Sequence, residues 1–458
     1  MIISSRFEAW VRRRLAIGLL HMRFFSTGIC MIENIKETRL KNGLAVLTDQ
    51  MPGVRSVTLA FFFRTGSRNE PDALNGITHF IEHAVFKGTA KRSALDIAIE
   101  QDRLGGTLEA FTTHEEMGFA IKVTDDQLEP AFELVADMLC NPQFDEKEMR
   151  SEQKVIIEEL KMTEDSPEDK LGDIFSRAFF PSHPLGLNIA GTSKTVRSFD
   201  SIAAAKYHQK LFQPGNMVVV AAGNVKHEKF VELAEKVLSP GFSRPAERRL
   251  KAGLKTRAPK PAAPIVIKQN KTLEQAHLLL ATPFVDGRAK ERYAADLLAQ
   301  IVGGGTSSRL WQKIREERGL AYSVGSSSIM FEDCGMFMVS AGTSPTQTLD
   351  VIDITIAEMR EIAANGVTAE ELDLAKQQTR ASVLLSLEDS AARAASLAQS
   401  EMLHGRQITV EESLANVDAV TLKDLHALAK KYFRTEKIAF AALGNLNGVK
   451  INRKRLAI

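Results

Sequence analysis

His79, Glu82 and His83 lie in residues 75–88 as H-x-x-E-H, a spacing of residue types suited to chemistry. Neutral imidazoles bind metal ions, and a carboxylate beside a metal-acidified water can take its proton. Apolar residues at 77, 80, 81, 84 and 85 recur with helical spacing, and Gly76 and Gly88 bracket the run. On a helix, positions four apart lie about 40° apart around the axis, so both rings can reach one ion. Glu82 shares their face without having to be a ligand. The trio describes metal-assisted hydrolysis. The bland alternative is two solvated histidines beside an unrelated glutamate, and a third ligand would separate the two.

A zinc hydrolase takes three protein ligands and leaves a fourth position for water. Residues 145–160 read as a long, heavily charged helix on which Glu152 and Glu159, seven positions apart, share one face. Most glutamates in such a run form a solvated acidic face. Spacing alone does not choose between Glu158 and Glu159.

From about residue 34 to 446 the chain resembles the inverzincin peptidases, which include pitrilysin, insulin-degrading enzyme and the mitochondrial processing peptidase. The phrasing of residues 156–168 and of His183-Pro-Leu-Gly186 is similar to the small two-lobed bacterial members. The resemblance implies one zinc ion per chain on His79, His83 and Glu159, at the family's usual separation, with Glu82 as general base. It also implies that Glu152 matches a second family glutamate, an orienting or proton-handling group.

A repeat organises the elements that must carry these residues. Residues 208–224 align with 429–445 at a constant offset of 221, with Lys210/Lys431, Phe212/Phe433, Ala221/Ala442, Gly223/Gly444 and Asn224/Asn445 identical. Each copy reads as a helix end, a short apolar strand and a Gly-Asn turn, so two copies of one fold are expected. Residues 57–63 and 275–281 are strand-like; 126–139 and 347–363 are helical. The class is α+β, each lobe a mostly antiparallel sheet packed with helices. The boundaries follow: an N-terminal extension over 1–33, a metal-binding lobe over 34–238, a Pro-rich linker over 239–264, and a second lobe over 265–458. The resemblance implies a clamshell half-chamber.

Composition fits a large core: 44% hydrophobic, 25% charged, formal net charge +2. That balance makes no case for nucleic-acid binding, and no apolar run reaches a membrane span. The cysteines Cys30, Cys140 and Cys334 are odd in number, far apart and read as reduced, with no Cys-x-x-Cys pair.

Residues 310–324 read as a helix running through Gly319 into a strand. The resemblance implies that Arg315 and Tyr322, seven positions apart, contact substrate from the second lobe. A guanidinium and a phenol suit a peptide carbonyl whose oxygen gains charge. Residues 303–308 are Gly-rich but lack the lysine of a phosphate loop, so a flexible turn before a helix is expected there. Residues 105–115 match the family strand beside the metal, an edge to which an extended peptide adds as a further strand, with Glu109 and Ala110 as contacts. Many members carry Asn where this chain has Glu109. A carboxylate accepts where an amide would donate, which bears on selectivity and favours basic substrates. His114, in the same loop, is read as structural.

A two-lobed chain should pair. A homodimer is expected, because one chain carries both the metal residues and Arg315/Tyr322; a heterodimer is the alternative. Within residues 1–30, Arg6, Arg12, Arg13, Arg14 and Arg23 face a single acid, Glu8, which resembles a mitochondrial presequence. The favoured reading is translation from Met31 and a cytoplasmic protein. Function is expected to be zinc endopeptidase activity on extended or unfolded peptides or presequences. The alternative is a non-catalytic partner subunit.

Overall fold

The computed structural model describes residues 33–238 and 258–458. Nearly all of the expected extension and most of the expected linker lie outside the described residues. Among the described residues, Cys140 and Cys334 do not form a disulfide with each other. No helix among the described residues is long and apolar enough to cross a membrane.

Strands β1 (Ile35–Arg39), β2 (Ala45–Gln50), β3 (Ser56–Phe63), β4 (Leu108–Thr112), β5 (Met117–Thr124) and β6 (Met217–Gly223) form one sheet in the order β1-β2-β6-β3-β5-β4. Strands β7 (Ile265–Gln269), β8 (Ala276–Phe284), β9 (Ala321–Met330), β10 (Gly335–Thr343) and β11 (Ala439–Gly444) form the second in the order β7-β11-β8-β10-β9. The β2–β6 and β7–β11 pairs are parallel, and the pairs beyond them towards β4 and β9 are antiparallel. The two sheets therefore share one topology, with β1 added to the first. The repeat read from sequence falls on β6 and β11, equivalent strands that are each a member of the parallel pair.

Central strands are buried on both faces, which the alternation of side chains makes possible. In β3 and β6, Leu59, Phe61, Phe63, Val219 and Ala221 enter a core shared with the helix Ile77–Ala84. Ala60, Phe62, Val218, Val220 and Ala222 point the other way, onto Ala394, Leu397 and Ala398 of the helix Ser390–His404. In the second sheet Leu279, Ala281, Ala439 and Ala441 receive Leu171, Phe175 and Phe179 of the helix Pro167–Phe179. Complete burial of one such leucine contributes about 1.5–3 kcal/mol.

That exchange corrects the expected boundaries. The packed units are not the contiguous halves 34–238 and 265–458: Lys161–Leu187 belongs to the second unit and Leu384–Val410 to the first. The physical reason is that each sheet has a second apolar face, covered by a helix from the other half of the chain. The end of the linker is not loose either. Ala262 N–H donates to Phe179 O, and Phe440 N–H donates to Pro264 O. The glycines at 303–304 also differ from a flexible turn: they close a wide helical turn, Gln300–Gly304, kinked at Gly303. A Cβ at Gly303 would lie 2.5 Å from Ser326 N, so glycine is set there by close backbone approach.

Buried charge fastens the exchanged helix to the first sheet. Glu401, 0% exposed, accepts from Arg39 and Arg64, each at 2.8 Å. Arg393 pairs with buried Asp49 at 2.7 Å, and Thr58 Oγ1 lies 2.8 Å from Ser390 Oγ. Glu401→Leu, which removes the buried carboxylate that both arginines share, is expected to lower unfolding free energy by about 2–3 kcal/mol, less than for a fully buried pair because Arg39 is partly exposed and keeps Glu37 at 2.9 Å. Urea denaturation checks this, and a loss below about 0.5 kcal/mol would show the cluster to be dispensable.

Candidate metal centre

The helix Ile77–Ala84 presents His79, Glu82 and His83 from the first unit. Its apolar residues Ile77, Phe80, Ile81 and Ala84 anchor it in the core, and Phe80 meets Phe199 edge-on at 5.4 Å between centroids. Its start is unusual. Gly76 precedes it at φ 97°, where a Cβ would lie 2.5 Å from Ala190 O. No side chain of the capping residue itself serves; instead Glu70, from an upstream loop, accepts from Gly76 N–H and Thr78 N–H, both at 2.7 Å. Burial pushes the Glu70 carboxyl up to about 7, against the pull of those hydrogen bonds. A carboxylate on the open amides of a helix start also complements the helix dipole.

The helix Glu146–Asp165 supplies the other wall. Asp145 Oδ1 caps it, accepting from Lys147 N–H and Glu148 N–H. Met149, Ile156 and Ile157 bury one side, and Gln153 Nε2 donates to Phe199 O. On this face Glu159 Oε2 lies 3.7 Å from His79 Nε2 and 3.5 Å from His83 Nε2. Glu158 is exposed, whereas Glu159 is the one of the two that lies beside both imidazoles.

Among the described residues, His79, His83 and Glu159 are the one group able to hold a metal ion, with ligand atoms all within 4.8 Å of one another. Neighbouring ligands on a tetrahedral zinc stand about 3.3 Å apart, so the carboxylate-to-imidazole separations nearly match before any ion draws them in. Glu152 fixes the tautomer. It is almost fully buried and lies 2.9 Å from His83 Nδ1 and 2.6 Å from Lys87 Nζ, so Nε2 of His83 is left to face the ion. His79 lacks that support: its Nδ1 is buried with no partner among the described residues.

The electrostatics call for a cation. Burial lowers His83, but its hydrogen bonds to Glu152 and Glu159 outweigh this and raise it to about 10. Burial, then the charge of His83, lowers His79 to about 4. A proton on His83 thus compensates the surrounding carboxylates when no metal is bound. Burial raises Glu82 to about 7, opposed by His83 and by the Thr112 hydroxyl, which donates to Glu82 Oε2 at 2.6 Å. Glu152 is held below the usual carboxylate range: burial works against this, and His83 and Lys87 prevail.

The remaining expected residues fall in two places. Glu109 and Ala110 lie on β4, the edge strand of the first sheet, opposite Ala120 and Phe119. Ala110 is buried in the core, whereas Glu109 is partly exposed and its carboxyl is raised by desolvation. His114 Nδ1 lies 2.9 Å from Ser67 Oγ, a structural contact. Arg315 and Tyr322 belong to the second unit and are stacked on each other, the guanidinium 4.9 Å from the Tyr322 ring and 4.1 Å from the Trp311 ring. Tyr322 is 80% exposed.

Four contributors escaped the sequence reading: Glu70, Lys87, Thr112 and Trp311. Lys87 is four positions after His83, a helical interval that could have signalled it. Glu70 and Thr112 act across loops and strands, where no interval applies.

With fold and geometry in hand, comparison with known proteins defines the class. The pattern described as Insulinase (Peptidase family M16) matches residues 45–193, and that described as Peptidase M16 inactive domain matches residues 202–379. An uncharacterized zinc protease of Streptomyces coelicolor is 38% identical over 401 residues, 87% of each chain. One of Bacillus subtilis is 34% identical over 410 residues, 89% of this chain and 98% of that protein. The chain belongs to peptidase family M16. A Helicobacter pylori protease shares the fold at TM-score 0.83 and 23% identity, over 90% of this chain and all of that one. A chain of complex III2 from Candida albicans does so at TM-score 0.79 and 20% identity, over 93% of this chain and all of that one. Likeness at these identities shows the fold alone, and function is argued from the side chains of the site.

Because a metal must displace the proton on His83, affinity for a divalent cation is expected to rise about tenfold per pH unit between about pH 6 and 9. The sign follows from a raised imidazole: proton competition weakens as pH climbs towards about 10. Chelator-competition titrations measure this, and a flat profile would contradict it.

Proposed function

We propose that this chain is a zinc endopeptidase acting on extended or unfolded peptides. The observation that carries the reading is the convergence of His79, His83 and Glu159 beside an enclosed Glu82. The names of the relatives support zinc as the metal. Bound there, zinc supplies Lewis acidity, lowering the pKa of water and polarising a carbonyl.

The chain's own residues do the rest. Open edge strand β4 offers main-chain hydrogen bonds to an extended peptide, a mode that reads few side chains. Glu82, poised near neutral pH, takes a proton from the attacking water and returns it to the leaving amine. Glu152 holds His83 in the ligating orientation. Arg315 and Tyr322 steady the substrate carbonyl, and Trp311 keeps the guanidinium in its stack. The carboxyl of Glu109, with no partner among the described residues, lies on the edge strand and favours basic side chains. Since one chain carries all these groups, two identical copies would be self-sufficient, and light scattering distinguishes a homodimer from a monomer awaiting a different partner.

A non-catalytic role has one observation in its favour, the match of residues 202–379 to a domain described as inactive. The complete donor set speaks against it, since a scaffold need not keep ligands and base together. Digestion of a peptide library by the purified chain, read by mass spectrometry with a chelator control, separates the readings. Chelator-sensitive cleavage is expected; no cleavage by the zinc-loaded chain would favour the scaffold.

Two variants test the roles. Glu82→Gln should keep zinc near one equivalent while kcat falls by about a thousandfold or more, and near wild-type turnover would remove Glu82 from its role. Arg315→Ala should lower kcat/KM by about ten- to a hundredfold without changing zinc content; unaltered kinetics would remove Arg315 from the substrate contacts.

A further inference from the structure

Glu82 is enclosed on the inner side of the first sheet, and among the described residues Thr112 is its one side-chain hydrogen-bond partner. Thr112 is the last residue of β4, paired with Met117. Side chains alternate along that strand: Leu108 and Ala110 enter the core beneath the metal helix, and Phe111 points to the opposite face. Thr112 continues the inner series, so its hydroxyl meets the base from the strand below.

The chain around Thr112 is fixed. Thr113 N–H donates to Glu116 O at 2.7 Å, and Thr113 Oγ1 accepts from Glu115 N–H and Glu116 N–H. The backbone of 113–115 lies so close to Gly66 that a Cβ there would sit 2.4 Å from Thr113 O. Threonine is itself stiff at its first side-chain torsion. A stiff hydroxyl on a pinned strand end can define where a flexible glutamate rests.

We propose that Thr112 is a positioning residue for the hydrolysis, resting on the peptidase reading above. Its hydroxyl holds Glu82 Oε2, leaving Oε1 to receive the proton of the attacking water. Because Thr112 ends the edge strand proposed to take the peptide, one residue registers both the base and the substrate backbone. A base free to rotate would bind the same peptide and ion but meet the water in the wrong place, and such an error costs turnover before affinity.

The test compares Thr112→Val, Thr112→Ser and Thr112→Ala in the full-length chain. In the valine variant kcat should fall about tenfold or more, with KM and zinc affinity within about twofold of wild type; serine should restore most of the rate. An independent reading needs no metal: the carboxyl carbon resonance of Glu82 in the metal-free chain, assigned by its loss in Glu82→Gln. It should move in Thr112→Val and hold in Thr112→Ser. Valine turnover within about twofold of wild type with an unmoved resonance would overturn the proposal, as would equal losses in serine and valine variants. Should valine prevent folding, the serine–alanine pair decides: serine fast and alanine slow supports the role, and equal rates overturn it. If the wild-type chain cleaves nothing, the peptidase reading fails, while the resonance still reports on the contact.

Discussion

A buried carboxylate between two cations organises the metal centre. Glu152 is nearly inaccessible to water, yet it stays ionised because His83 and Lys87 both donate to it. An unpartnered charge at that depth would cost several kcal/mol, so the three groups constrain one another. The consequence is directional. Once Glu152 takes Nδ1 of His83, only Nε2 can face Glu159 and His79. Tautomer, ring orientation and net charge of the pocket all follow from that contact.

Around it the protein places stiff supports. Glu70 satisfies the open amides of the metal helix from outside the helix, and Gly76 lets the chain enter at an angle no other residue would tolerate. Asp145 does the same for the long helix, and Phe199 braces both, by its ring against Phe80 and its carbonyl against Gln153. Two helices from distant stretches of chain are thereby held to a few tenths of an ångström of a tetrahedral ligand spacing. The enclosed Glu82, with its raised carboxyl, is a by-product of the same dry surroundings.

The exchange of helices between units has a packing origin. A central strand such as β6, apolar at every position, needs cover on two faces. Helices within its own half cover only one. The helix Ser390–His404 covers the other, and its counterpart Pro167–Phe179 does so for the second sheet. The 221-residue repeat relates β6 to β11, and the two covering helices stand at a similar interval, Ser390 being 223 positions after Pro167, so the reciprocity follows the repeat. Periodicity showed the strands as apolar but carried no mark of which helix would lie on them, hence the contiguous boundaries expected from sequence.

What the chain's order of residues determined alone was local. Helical spacing brought His79, Glu82 and His83 to one face, a short apolar run marked β3, and internal similarity announced two copies of a sheet. Spacing narrowed the candidate third ligand to two neighbours, and resemblance chose between them. Tertiary structure decided everything that acts beyond local periodicity: that Glu159 turns inward and Glu158 outward, that Glu152 grips His83, that Glu70 caps a helix it does not belong to, and that Thr112 reaches Glu82. Such contacts depend on burial and on the meeting of elements far apart in sequence, and a one-dimensional pattern records neither.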